Sequence, residues 1–235
     1  MRGGIRAMFT GQRVILTGPD GTIGSAIKLR LENQGAEVAT IGHQPGLGGY
    51  VADFTDEGSL QAAVAVAAAD GPMHGLVFAH GLLLPGTIDV VTPAEWRRML
   101  AVNVDSIYTI IHHALPRLAA GASIVAISST AGFDHSPVGG PHYTASKWAL
   151  NGLVRHLAFD LGPRGVRINS VCPGTVEGPM ARALLSTEAY QESLKAIPLG
   201  RAADADEIAE VVQFLIEPRS RYVTGTNIPV AGGYR

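Results

Sequence analysis

Arg13-Val14-Ile15-Leu16-Thr17-Gly18-Pro19-Asp20-Gly21-Thr22-Ile23-Gly24 is the stretch that sets the architecture of this 235-residue chain. Its first five residues form a mainly apolar, β-branched run that predicts a buried strand. A turn holding Gly18, Gly21 and Gly24 follows, then an amphipathic run over 25–34 that stops at Gly35. Strand, glycine turn and helix in that order aim backbone N–H groups and a helix N-terminus at a pyrophosphate. The glycines let the main chain approach such a ligand closely. A plain tight turn also favours Gly, Pro and Asp. The flanking strand and helix are what make Gly18, Asp20, Gly21, Thr22, Ile23 and Gly24 candidate dinucleotide contacts.

A second strand is predicted over 37–41 and ends at Gly42-His43. An acidic residue there would accept from the ribose 2′-OH of NAD, and a basic one would favour the 2′-phosphate of NADP. The chain offers neither. Gly42 leaves room for a phosphate that His43 and Gln44 could touch, although His43 reads equally well as a plain loop residue. NAD and NADP both stay open, with a lean to NADP.

Downstream, the pattern predicts helices over 59–69, 93–118, 143–161, 180–196 and 204–216, with strands over 75–79, 123–128, 166–171 and 227–230. Alternating strand and helix imply an α/β fold: a doubly wound parallel sheet, Rossmann-like, in a single domain. The domain is expected over 11–235, after a loose tail over 1–10 and with a small substrate lid near 180–197. There is no repeat, linker or low-complexity segment.

Tyr143-Thr-Ala-Ser-Lys147 follows Ser128 and Ser129 by a short loop. Residues four apart share one helix face, so the phenol and the ammonium can converge. A free phenol titrates near ~10, too high for efficient proton transfer at neutral pH, and a neighbouring cation lowers it. A nearby serine could hold a substrate oxygen meanwhile. Such a pair alone is common on solvated helices, and its weight comes from what surrounds it.

From Arg13 to Gly233 the chain resembles the compact, single-domain branch of the short-chain dehydrogenase/reductase family. The resemblance implies a catalytic set of Asn103, Ser129, Tyr143 and Lys147. It also implies cofactor contacts at Asp53 and Phe54, at Ala79 and Gly81 after the fourth strand, and at Pro173, Gly174 and Val176. Tyr143, Lys147, Gly42 and His43 join that group, and Thr224-Gly225 and Gly232-Gly233 match the closing strand. Three positions depart from the family pattern. Thr22 stands at the usual middle glycine, with Gly21 one position earlier. Phe78-Ala79-His80-Gly81 replaces Asn-Asn-Ala-Gly, and Gly178 replaces a threonine that often touches the carboxamide.

A net charge of −2 gives no case for nucleic acid or an anionic membrane surface. With 46 % hydrophobic and only 16 % charged residues, buried parallel strands or extensive subunit contact are expected. The lone Cys172 excludes an intramolecular disulfide and suits a reducing cytoplasm. Residues 1–8 lack the apolar run of a signal peptide, and no run is long enough to span a bilayer. No metal site is expected: His112 and His113 have no ligand-type residue at suitable spacing.

These readings converge on a nicotinamide-dependent oxidoreductase interconverting a secondary alcohol and a ketone. Ser129 would hold the substrate oxygen and Tyr143 would move its proton. By resemblance, Lys147 would also hold the nicotinamide ribose and Asn103 would sustain a water chain to bulk. The expected pocket walls are 82–88, 133–142 and 180–197. Their apolar residues, among them Leu82, Leu83, Leu84, Phe133, Val138, Met180, Leu184 and Leu185, suggest a small, largely apolar or cyclic substrate. Apolar faces on the 93–118 and 143–161 helices, with the resemblance, imply a homo-oligomer, a tetramer. Two rivals stand beside this: a sugar-nucleotide epimerase or dehydratase relative, suggested by the glycine spacing, and a non-catalytic dinucleotide sensor or scaffold.

Overall fold

The strands of this computed structural model, which describes residues 8–45, 49–184 and 186–234, all run parallel in one sheet. They are β1 (Arg13–Thr17), β2 (Glu37–Gly42), β3 (Tyr50–Val51), β4 (Met73–Phe78), β5 (Leu118–Ile127), β6 (Arg167–Pro173) and β7 (Asn227–Val230). Their order is β3-β2-β1-β4-β5-β6-β7, the doubly wound arrangement expected from the alternation. The order reverses between β1 and β4, and ligands bind at that crevice, outside the carboxyl ends of the strands.

Helices cover both faces: α1 (Thr22–Asn33), α2 (Glu57–Ala67), α3 (Pro93–Leu100), α4 (Ser106–Ala114), α5 (Pro141–Leu161), α6 (Pro179–Leu184), α7 (Thr187–Lys195) and α8 (Ala205–Ile216). On one face Leu60, Val64, Ile107, Ile111, Leu150 and Val154 pack on the sheet. On the other, Ile27 and Leu31 of α1 meet Ile208, Val212 and Leu215 of α8. Each such side chain contributes about 1.5–3 kcal/mol by leaving water. Arg30 reinforces the second face, donating to Asp206 at 3.0 Å and to Glu210 at 3.0 Å. No helix among the described residues is long and apolar enough to cross a membrane.

Several boundaries differ from the sequence reading. The helix expected over 93–118 is α3 and α4 joined by a π-helical turn, Ala101–Asp105, and it ends at a 3₁₀ turn, Leu115–Arg117, around Pro116. Proline cannot continue the helical hydrogen-bond ladder, and β5 starts at once, at Leu118. The lid helix expected over 180–196 is two helices, because the Ser186 hydroxyl accepts from Ala189 N at 3.2 Å and so starts α7 afresh. Asp56 likewise starts α2 two residues early, accepting from Ser59 N at 2.6 Å. The expected tail over 1–10 ends sooner: Phe9 is fully buried and its N–H donates to Gln34 O at 2.8 Å. Residues 1–7 lie outside the described residues.

Candidate active site

At the switch point two glycines of the turn after β1 make main-chain contacts too close for a side chain. Gly18 has φ +67°, and a Cβ there would come within 2.7 Å of His80 N. A Cβ on Gly24 would stand 1.9 Å from Gly18 O, an impossible overlap. Gly21 caps α1 with no side-chain acceptor for the first N–H groups. Those orphan donors and the helix dipole make a cradle for a phosphate. This chemistry fits the pyrophosphate of a dinucleotide, with Asp20, Thr22 and Ile23 around it.

Beside the cradle, β4 runs into Ala79-His80-Gly81. The Ala79 N–H donates to Thr17 O at 3.1 Å, so β4 stays paired with β1 up to the loop. His80 carries the tie further: its Nδ1 lies 2.5 Å from Thr17 Oγ1 and its Nε2 2.8 Å from Ser106 Oγ. The Ser106 hydroxyl donates to Val102 O at 2.7 Å, so it accepts from Nε2–H, and Nδ1 accepts from Thr17. Burial, with help from the Lys147 charge, holds the imidazole at about 3, well below its ordinary value, so it stays neutral. The Phe54 ring stacks on it with centroids 4.2 Å apart. Phe54 thus turns into the core, while the neighbouring Asp53 is exposed and accepts from Thr55 N at 2.8 Å. Sequence reasoning marked His80 as a departure without finding this role; a half-buried histidine between three elements has no short-range signature.

The four expected catalytic side chains come from three places in the β4-to-α5 half: the turn between α3 and α4, the end of β5, and α5. Asn103 sits in the π-helical turn, a distortion frequent at functional sites. Its Oδ1 accepts from Leu82 N at 2.7 Å, and its Nδ2 donates to Leu82 O at 3.0 Å and to Ser146 Oγ at 3.0 Å. The side chain therefore clamps the loop after β4 and reaches α5 through Ser146, whose hydroxyl donates to Tyr143 O at 2.7 Å. Ser129 caps the 3₁₀ turn Thr130–Gly132: its oxygen accepts from Ala131 N at 3.1 Å. That leaves its proton free, and the hydroxyl draws the Tyr143 phenol down.

Burial pushes the Tyr143 phenol above its ordinary value, and the Ser129 hydroxyl pulls it back only in part. Lys147 is buried, and desolvation lowers its ammonium to about 8. Its Nζ donates to Ile127 O at 3.0 Å and lies 5.7 Å from the centre of the Tyr143 ring. The lowering of the phenol expected from the Tyr-x-x-x-Lys spacing is not seen here, and burial, the largest cause, raises it instead. Gly81 lies between these groups: a Cβ on it would meet Asn103 Oδ1 at 3.4 Å and Lys147 Nζ at 3.7 Å.

The remaining expected contacts border the same edge. Pro173 ends β6, the Gly174 N–H donates to Val230 O at 3.1 Å, and Val176 bridges to Ala203. Gly42 is buried at the end of β2 and His43 is exposed. The two expected walls 82–88 and 133–142 meet, since Gly140 N donates to Leu84 O at 2.9 Å. A Cβ on Gly139 would press within 2.6 Å of the Tyr143 ring and 2.8 Å of Leu83 Cδ1. The segment expected to form a lid is tied down by Tyr190, whose hydroxyl donates to Glu177, as does Arg182. This anchor escaped the sequence reading. Leu185 and the side chain of Met180 lie outside what is described. No cluster of three metal-binding side chains occurs among the described residues.

A family model described as "Enoyl-(Acyl carrier protein) reductase" matches residues 20–235. A short-chain dehydrogenase/reductase from Serratia marcescens superposes with a TM-score of 0.89 at 32 % identity, covering 97 % of this chain and 99 % of that one. The chain belongs to the short-chain dehydrogenase/reductase family. Within that family it is 36 % identical over 216 residues to trans-4-hydroxycyclohexanecarboxylate dehydrogenase of Sinomonas cyclohexanicum, covering 86 % of this chain and 80 % of the relative. A blue fluorescent protein from a metagenomic library, solved with NADPH, is similar at TM-score 0.88 and 31 % identity, covering 97 % of this chain and 99 % of the other. Like its family, the chain is an NAD(P)-dependent oxidoreductase.

Proposed function

We propose that the protein interconverts a cyclic or largely apolar secondary alcohol and its ketone. The observation that carries this is the Lys147 ammonium 5.7 Å from the centre of the Tyr143 ring, with the Ser129 hydroxyl acting on the same phenol. NAD(P), when bound, supplies or accepts the hydride. Gly18, Gly21, Gly24 and the first turn of α1 would hold its pyrophosphate, and Lys147 its nicotinamide ribose.

The phenol is protonated at neutral pH because burial raises it, so Tyr143 is set up as the acid of ketone reduction. Ser129 offers its proton toward the same point and would orient the substrate oxygen. As the phenol gives up its proton, the nearby ammonium stabilises the phenolate left behind. Asn103 holds Leu82 and so fixes the wall beside the tyrosine; a water chain past it would return the proton to bulk.

Leu83 against Tyr143, and Phe133 and Val138 in the facing wall, favour an apolar ring. A cyclic alcohol also agrees with the hydroxycyclohexanecarboxylate dehydrogenase named above. A homotetramer in a reducing cytoplasm completes the reading. It rests on exposed Trp96, Tyr108, Trp148 and Phe159 on the helices after β4 and β5, and on the lone Cys172. The test is absorbance at about 340 nm, with NADH and NADPH offered cyclic and open-chain ketones and the oxidised cofactors offered the alcohols. Turnover on cyclic ketones that vanishes in Tyr143→Phe is expected. Dinucleotide binding with no turnover on any member of the panel would favour a sensor instead.

A further inference from the structure

The end of β2 holds no acid and no strong base, yet a carboxylate reaches it from elsewhere. Asp20, in the turn after β1, directs Oδ1 to within 3.6 Å of where a Cβ on Gly42 would lie. Its Oδ2 lies 3.6 Å from His43 Nδ1. The Asp20 side chain is only 20 % exposed, against 61 % for His43, so it is tucked toward the strand end while the imidazole points outward. The notch it borders is also lined by Pro19, Gly42, Gln44 and Tyr50. From Gly42 to Tyr50 the sequence contains no Lys or Arg. Gly42, bare of a side chain, leaves the space in front of the carboxylate open.

A carboxylate at the end of β2 accepts hydrogen bonds from a ribose hydroxyl, and the same charge opposes a 2′-phosphate. We propose that Asp20 is the specificity-determining residue for the adenosine ribose, working from the glycine turn rather than from β2, and that it selects NAD over NADP. This rests on the dinucleotide reading of the site. Gly42 alone would admit a phosphate, but the closest charged group it would meet there is an anion. His43 offsets that anion only from an exposed position.

The experiment is fluorescence titration of the purified full-length protein with NADH and with NADPH, in the absence of substrate. Wild type is expected to bind NADH at least about tenfold more tightly, at low ionic strength where charge counts most. Asp20→Asn keeps the shape, removes the charge, and should narrow the ratio mainly by gaining affinity for NADPH. His43→Arg should shift the ratio the same way through charge-assisted bonds to phosphate. Thermal unfolding of each variant checks that it is folded. Equal or tighter binding of NADPH by wild type, or an unchanged ratio in Asp20→Asn, would overturn the assignment of Asp20 while leaving the dinucleotide site intact. Binding of neither cofactor would overturn the site itself.

Discussion

The Thr22 hydroxyl oxygen stands 3.0 Å from the point where a Cβ on Gly178 would lie, and its methyl carbon 3.2 Å from it. Two of the three departures from the family pattern therefore face each other. A side chain at 22 occupies the space that one at 178 would need, so the threonine and the glycine act as a matched pair.

Restoring a threonine at 178 should then fail in this background. Gly178→Thr is expected to lower stability by about 1–3 kcal/mol through overpacking. Thr22→Gly with Gly178→Thr should recover much of that loss. Chemical denaturation of both single variants and the double variant gives the coupling, expected at about 0.5–3 kcal/mol for residues in contact. Additive losses would mean that the two positions are independent.

Tyr143→Phe removes the transferable proton and little else. Turnover should fall by roughly two to four orders of magnitude, while titration with cofactor stays near the wild-type curve. Lys147→Ala should damage both, since the ammonium stands beside the phenol and beside Gly81. Unchanged dinucleotide binding in that variant would remove Lys147 from the ribose.

His80 makes the fold acid-sensitive. Its folded value of about 3 lies below the 6.5 of an unfolded chain. As pH falls from 6.5 toward 3, the unfolded state takes up a proton that the folded state refuses, so stability is lost across that window. Because the residue is partly exposed, the effect should be on the order of 1 kcal/mol between about pH 7 and pH 5. His80→Asn should be less stable throughout but should lose less on acidification. Equal pH slopes for the two proteins by urea denaturation would show that His80 is not the titrating group.

Light scattering at micromolar concentration is expected to return four times the chain mass. Phe159, 83 % exposed, is the most exposed large apolar side chain on α5, and Phe159→Glu should lower the mass. A monomer mass for wild type would refute the tetramer.

Much of this was legible because it is local. The run Arg13–Thr17, the glycine turn and the Tyr143–Lys147 spacing each signal within a dozen residues, and β7 appears over the expected 227–230. What escaped depends on packing. The π-helical turn at Asn103 interrupts no hydrophobic period, so 93–118 reads as one helix until Asn103 is seen gripping Leu82 on both its N–H and its carbonyl. The sign of the shift at Tyr143 depends on how much water the fold removes, and spacing on a helix face carries no measure of that. Phe54 follows Asp53 directly, but strand-like alternation sends the two side chains opposite ways, one to solvent and one onto His80.

The order of the strands also bears on how the chain is made. β1 lies inside the sheet between β2 and β4, and all three are complete once residue 78 has been synthesised. The dinucleotide half can therefore assemble while Asn103, Ser129, Tyr143 and Lys147 are still unmade. Its α1 face is another matter, because Ile27 and Leu31 are covered by α8, which is synthesised more than 170 residues after them. Through most of translation that apolar stripe lacks its α8 cover and has only the sheet side to pack on, and a growing chain is most exposed to aggregation there.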